Sequence, residues 1–488
     1  MRSLRPPVSS LSKTVVLLAL AFVAAALAGC LGSGSDEERP NEVEDPRPAI
    51  VPAQDVRPIA GDPIPGGPGH DHANPAQHDV AINMELLGRP EVDPAGKGTY
   101  WNSNIPMGLD IRFGELDVKG DWLAQCSREE NGGYLWDIVN RSSPVLAARI
   151  PDVGNCPDLK LTDDANFLVV GGNKLYNLSD KGAPEQVFKT DEFGCHMCSL
   201  ITVDGQEYVI LSAQGSATNV GGRNVTTGAG FAVVRLVRDP PAMEVVGRWQ
   251  KELARDSVPT LAEQDIANTV HDQYAYHDQV LGKPIVVTAM WDYGVFFVDL
   301  SDPAAPKDLG HWGDYGGDAG NIHTVAVDFR KVSGELRRIA VAATETGPII
   351  GAKSAADPGY VYVLDATDLD HVKLLSTITL PGEVFVDGIR FSTHNHQLVN
   401  GRLYVAWYHA GVWAYDVSTD EKLLAPELVG FYLPHENVTA TPEGADVPDT
   451  WDVVVTNGVA WASDVNTGLI ALRFAGDTVG DGNQTSLG

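Results

Sequence analysis

Beyond residue 100 the chain repeats one pattern of apolar and polar positions. A glycine opens a short alternating apolar run, a polar residue (usually aspartate) closes it, and a turn rich in Ser, Asp and Pro follows. The pattern reads Gly132-Gly133-Tyr134-Leu135-Trp136-Asp137, then Gly294-Val295-Phe296-Phe297-Val298-Asp299-Leu300-Ser301-Asp302-Pro303. It returns from Gly359 to Asp365 and from Gly411 to Ser418, with weaker copies from Lys174, Phe231 and Gly468. Short apolar runs bounded by turn chemistry predict strands, and a period of about 40 to 65 residues suits a four-stranded propeller blade with loop insertions. Seven copies predict seven blades.

The outermost strand of a blade has its own signature, seen in Met243-Glu244-Val245-Val246-Gly247-Arg248 and Leu309-Gly310-His311-Trp312. After Arg473 only a Gly/Asp tail remains, so the last blade lacks this strand. Met84-Glu85-Leu86-Leu87-Gly88-Arg89 copies the Met243 segment almost letter for letter. Pairing it with the last blade would close the ring and leave no open circular edge. The expected fold is all-β: a seven-bladed β-propeller over 80–476, closed by an N-terminal strand and followed by a flexible tail, 477–488. The 50 glycines and 31 prolines agree, since these residues punctuate short strands rather than long helices.

What precedes residue 80 reads differently. Arg2, Arg5 and Lys13 precede an uncharged apolar run from Thr14 to Ala28, the length of a signal-peptide core and short for a membrane span. It ends in Leu27-Ala28-Gly29-Cys30, which resembles a lipobox. The expectation is a lipoprotein signal peptide over 1–29, lipidation of Cys30, and a surface-exposed protein held to the membrane by that lipid. Residues 30–79 are rich in Pro, Gly and acidic residues with almost no aromatics, too polar to bury a core, and predict a disordered tether. As a coil of about fifty residues it would span on the order of 40 Å. A net charge of −30 rules out a general nucleic-acid binder, which needs a basic face.

With the Gly-to-Pro units in view, the chain resembles the LVIVD-repeat family of secreted and surface proteins, most clearly at Gly294 to Pro306 and Gly411 to Ser418. The resemblance covers roughly four fifths of the chain. It implies a seven-bladed propeller and export, and no particular reaction.

Sequence motifs for nucleophilic, zinc-protease or phosphate-binding chemistry are absent. Histidines are more informative. His196, His271, His323 and the pair His394 and His396 recur near the start of the innermost strand of four consecutive blades. Innermost strands line a propeller's channel and begin on one face, so these residues should form an arc at a wet channel mouth. Converging neutral imidazoles suit one divalent transition metal, Cu or Zn. The alternative is that they hydrogen-bond neighbouring blades. Selenium-binding proteins, which include copper-dependent methanethiol oxidases, are similar in fold type and histidine placement only.

Excluding Cys30, four cysteines remain: Cys126, Cys156, Cys195 and Cys198. Export favours disulfides, with three connectivities open and a bridge between adjacent blades among them; Cys195 and Cys198 could instead join His196 as metal ligands. Asn-x-Ser/Thr sequons at Asn140, Asn177, Asn224, Asn437 and Asn483 are glycosylation candidates. The function expected first is a lipid-anchored binding or scaffolding module for a surface protein, a glycan or a small ligand. The alternative is a metal-dependent enzyme, an oxidoreductase among the choices, using the histidine arc, with Asp272 and Asp278 as candidate bases.

Overall fold

A computed structural model describes most of residues 80–475; the longer stretches outside the described residues are 91–112, 252–269, 314–321, 346–358, 381–391 and 435–448. Residues 1–79 and 476–488, including Cys30, Asn483 and the proposed tether, also lie outside them, as does Asn437.

Seven antiparallel sheets account for nearly all of the described strands. In chain order their blades run over 116–150, 159–189, 198–251, 272–312, 322–378, 396–433 and 450–474. Within each, consecutive strands are neighbours, and the repeat identified in the sequence forms the third strand every time. Blade 3 carries an extra hairpin, Ala217–Val220 with Arg223–Thr226, and blade 6 a five-residue helix, Asp420–Leu424.

The apolar runs bury side chains on both faces. Val295, Phe296, Phe297 and Val298 are all buried; Val295 and Phe297 join the cluster between blades 4 and 5, while Phe296 and Val298 join that between blades 3 and 4. Alternation in these strands is therefore one of direction rather than of polarity, because each blade is sandwiched between two others. Among the described residues each neighbouring pair has such a cluster, blades 6 and 7 sharing a second, small one of Tyr408, Trp451 and Val465, and that between blades 7 and 1 closes the circle with Trp461 and Leu469 against Leu116, Leu123 and Trp136.

The clasp is in place. Met84–Gly88 pairs antiparallel with Gly468–Phe474 as the fourth strand of blade 7, and Val80–Ile82 adds a fifth strand to blade 6. In all seven blades the pairing of the third and fourth strands shifts register at a bulge, and the clasp reproduces it between Leu86 and Gly88. The outer-strand glycines have a steric cause. A Cβ at Gly310 would lie 1.9 Å from the Leu369 carbonyl oxygen in the next blade, and one at Gly88 would lie 2.4 Å from that of Ser142 in blade 1.

The repeated aspartate is a turn residue. Oδ1 of Asp137, Asp299, Asp365 and Asp416 each accepts the backbone N–H two residues on, at 2.8 to 3.0 Å. Asn177 replaces it in blade 2, accepting from the Ser179 amide at 2.8 Å and from its hydroxyl at 2.6 Å. Asn140 makes the same kind of contact with Ser142 Oγ at 2.9 Å. The serine that completes each of these two sequons is thus also the partner its asparagine binds in the turn. Asn224 lies on the extra hairpin strand of blade 3.

Candidate metal centre and channel

The first strands of all seven blades line a central cavity of about 210 Å³. Its polar side chains staple each blade to the next. Asp452 of blade 7 accepts the Leu116 amide of blade 1 at 2.9 Å, Asp117 accepts that of Leu161 in blade 2 at 2.7 Å, and Asp158 accepts that of Cys198 in blade 3 at 2.7 Å. Further round, Asp272 of blade 4 accepts the Thr324 hydroxyl of blade 5 at 2.7 Å. Burial lifts the Asp158 carboxyl, with Lys160 2.8 Å away opposing the lift, and lifts Asp272 to about 7. Asp278, the other candidate base, is fully buried in an ion pair with Arg338 and serves the fold.

At one end of this channel the histidines meet. Ring centroids step from His196 to His271 at 4.5 Å, to His323 at 4.0 Å and to His394 at 4.2 Å. The structure thus brings four of the five predicted positions side by side. His396 goes elsewhere: its Nε2 donates to the Val341 carbonyl of blade 5 at 2.9 Å. Strand alternation does not tie His394 to His396, because the strand begins only at His396.

The mouth is dry rather than wet. His271, His323 and His394 are 6%, 1% and 3% exposed. Trp291 packs edge-on against His271 at 4.5 Å, and Trp451 lies 3.9 Å from the His394 ring. Burial, then the neighbouring imidazoles, holds His271 and His323 well below the ordinary histidine range, and burial brings His396 down to about 4. These rings are neutral at neutral pH, the state a metal requires.

Glu345, at the end of the second strand of blade 5, completes the cluster. One ligand atom each from His271, His323 and Glu345 lies within 4.8 Å of the others. His271 Nδ1 is 3.1 Å from the His323 carbonyl oxygen, which can only accept, so Nδ1 carries the proton and Nε2 the lone pair. Tyr408 donates its hydroxyl to Glu345 Oε1, leaving Oε2 directed at His323 Nε2, 3.4 Å away. The backbone of His394 also lies against the His323 ring. Beside this set, Glu115 Oε1 accepts the Trp451 indole N–H at 2.6 Å and lies 3.8 Å from His394 Nδ1. Burial and the nearby Asp452 and Asp158 raise Glu115 well above the usual carboxylate range.

Sequence reasoning did not reach Glu345, Glu115 or the aromatic wall. One signal was available: Trp291 and Tyr408 each stand three residues before a repeat glycine, and both have positive φ, 34° and 41°. Bulky residues rarely adopt that conformation, and each bridges to the next blade, Trp291 to Ile322 and Tyr408 to Thr450.

The four thiols are paired as Cys126–Cys156, which ties blade 1 to the segment entering blade 2, and Cys195–Cys198. In this state Cys195 and Cys198 are bonded to each other and are not ligands.

No protein-family model matches the chain, and no curated protein matches it. Among solved structures, Saccharomyces cerevisiae Sqt1 is 9% identical with a TM-score of 0.44, covering 75% of this chain and 95% of that one. BamB from Moraxella catarrhalis is 8% identical with a TM-score of 0.41, covering 74% and 85%. The WD40 propeller domain of Doa1 is 13% identical with a TM-score of 0.42, covering 75% and 93%.

Proposed function

We propose that the protein is a lipid-anchored, extracytoplasmic propeller of the LVIVD-repeat type that acts as a binding module, and that its channel mouth binds one divalent transition metal, zinc or copper. The observation that carries the metal reading is the convergence of His271, His323 and Glu345: one ligand atom from each lies within 4.8 Å of the others, and His323, 1% exposed, faces Glu345 Oε2 at 3.4 Å and packs against His271. His271, His323 and Glu345 would hold the ion; His196 and His394 flank it. The ion would supply Lewis acidity, while the His323 carbonyl holds His271 in the required tautomer and the Tyr408 hydroxyl orients the Glu345 carboxylate.

The blade edges and loops would engage a surface protein, glycan or small ligand, and Cys30 would take the lipid. Zinc and copper titrations of the full chain with His70, His72 and His78 replaced by alanine, so that they cannot contribute, should give one tight site per molecule. His271→Ala with His323→Ala should abolish that site. Because both rings are buried, circular dichroism must show the double variant folded, and Glu345→Gln provides a near-isosteric second test. Tight stoichiometric binding that survives all of these changes would refute the site. Cys30→Ser should move the protein from the detergent to the aqueous phase, and wild type already found in the aqueous phase would refute the anchor.

A further inference from the structure

The two disulfides differ in burial and in the length of chain they close. Cys126 and Cys156 are fully buried within the cluster between blades 1 and 2, and their bond closes a separation of 30 residues. Cys195–Cys198 closes a separation of 3, and Cys195 is only half-buried at the start of blade 3. Exchange requires a thiolate to reach a disulfide sulfur, and the partly exposed Cys195 offers that approach where the buried Cys126 and Cys156 do not.

The short bridge encloses His196. Residues 197 and 198 are fixed without it: the Met197 amide donates to Ser212 Oγ at 2.9 Å, its carbonyl accepts from Gln273 Nε2 at 2.9 Å, and the Cys198 amide donates to Asp158 at 2.7 Å. On the other side Cys195 keeps a backbone bond to Gly171 at 2.9 Å. His196 sits between, its half-buried ring against His271. The disulfide adds a covalent tie between the two cysteines that flank His196.

We propose that Cys195–Cys198 is a thiol–disulfide exchange site for small dithiols, and that its oxidised state keeps His196 against His271. A thiolate of the dithiol attacks Cys195 Sγ, the more exposed sulfur; the Cys195–Cys198 bond breaks and Cys198 leaves as a thiolate that takes a proton. The second thiol of the reductant then attacks the mixed disulfide, leaving as a cyclic disulfide and releasing Cys195, protonated in turn. Two electrons pass from the dithiol to the protein, and its two hydrogens end on the two cysteines. The effect on metal affinity rests on the metal reading above; the exchange itself does not.

Treating the full chain with graded dithiothreitol, alkylating, and mapping each cysteine by mass spectrometry tests the exchange. Cys195 and Cys198 should become alkylated several-fold faster than Cys126 and Cys156 at each reductant concentration. Opening of both bridges together, or of Cys126–Cys156 first, overturns the proposal. Cys195→Ser with Cys198→Ser tests the coupling: in the folded variant, diethyl pyrocarbonate should modify His196 several-fold faster than in oxidised wild type, and an unchanged rate overturns that half. If His196 is released yet zinc binds both proteins equally, the exchange site stands and His196 is removed from the metal set. Should the serine variant not fold, the dithiothreitol map of wild type still decides the exchange.

Discussion

The clasp can be tested without deleting anything, through Met84→Ala combined with Leu86→Ala. Met84 is 5% exposed and packs with Tyr404, Val412 and Tyr432 of blade 6 and Ile470 and Leu472 of blade 7; Leu86 is partly buried against the same cluster. Truncating a buried Met or Leu to Ala costs about 2–5 kcal/mol, with Leu86 at the low end. Neighbouring sites couple, so the pair should lose about 3–6 kcal/mol, a large part of the 5–15 kcal/mol typical of a folded protein. About 290 described residues carry an unfolding entropy of about 0.6 kcal/mol per degree, so the melting midpoint should fall by about 5–10 °C. Glu85→Ala is the control on the same strand: it removes only the exposed pair with Arg473, worth about 0–1 kcal/mol. Differential scanning calorimetry of the three proteins gives the answer. A double variant melting within 1 °C of wild type would mean that the N-terminal strand does not close the ring in solution.

Gly310→Ala should cost about 1–3 kcal/mol, because its Cβ would meet the Leu369 carbonyl oxygen of the next blade at 1.9 Å; a neutral result in chemical denaturation would contradict the close approach. Burial lowers His396 from its ordinary value to about 4, so the unfolded chain takes up the proton first. Its share of stability is complete above about pH 6.5 and is lost as pH falls toward 4, at up to about 1.4 kcal/mol per pH unit. His396→Gln, which can still donate to Val341, should therefore lose less stability than wild type between pH 7 and 5 in urea titrations, and parallel losses would count against the burial argument. Arg338→Met strips the partner from the fully buried Asp278 and should destabilise by about 3–5 kcal/mol, partly relieved by adding Asp278→Leu; no relief in the double variant would refute charge burial as the cause.

The seven repeats and the Met84–Arg89 copy of the outer strand were legible because they depend on short-range chemistry. A glycine, an apolar run and an aspartate that caps its own turn act within about ten residues, and each copy repeats the same local solution. The histidine positions were legible for the same reason, as departures at one fixed place in the repeat. Their partners were not. Glu345 ends a second strand, Trp291 and Tyr408 sit in left-handed turns, and Glu115 precedes the first strand of blade 1. They reach His323, His271 and His394 only because closing the ring brings seven blades to one axis. The sequence likewise left three disulfide connectivities open, and contact across blades 1 and 2 selected Cys126–Cys156. Sequence by itself determined what each blade is, since a blade's strands are set by neighbours along the chain. Tertiary structure alone decided which side chains meet at the channel, and that the meeting place is dry, because burial there is contributed by residues hundreds of positions apart.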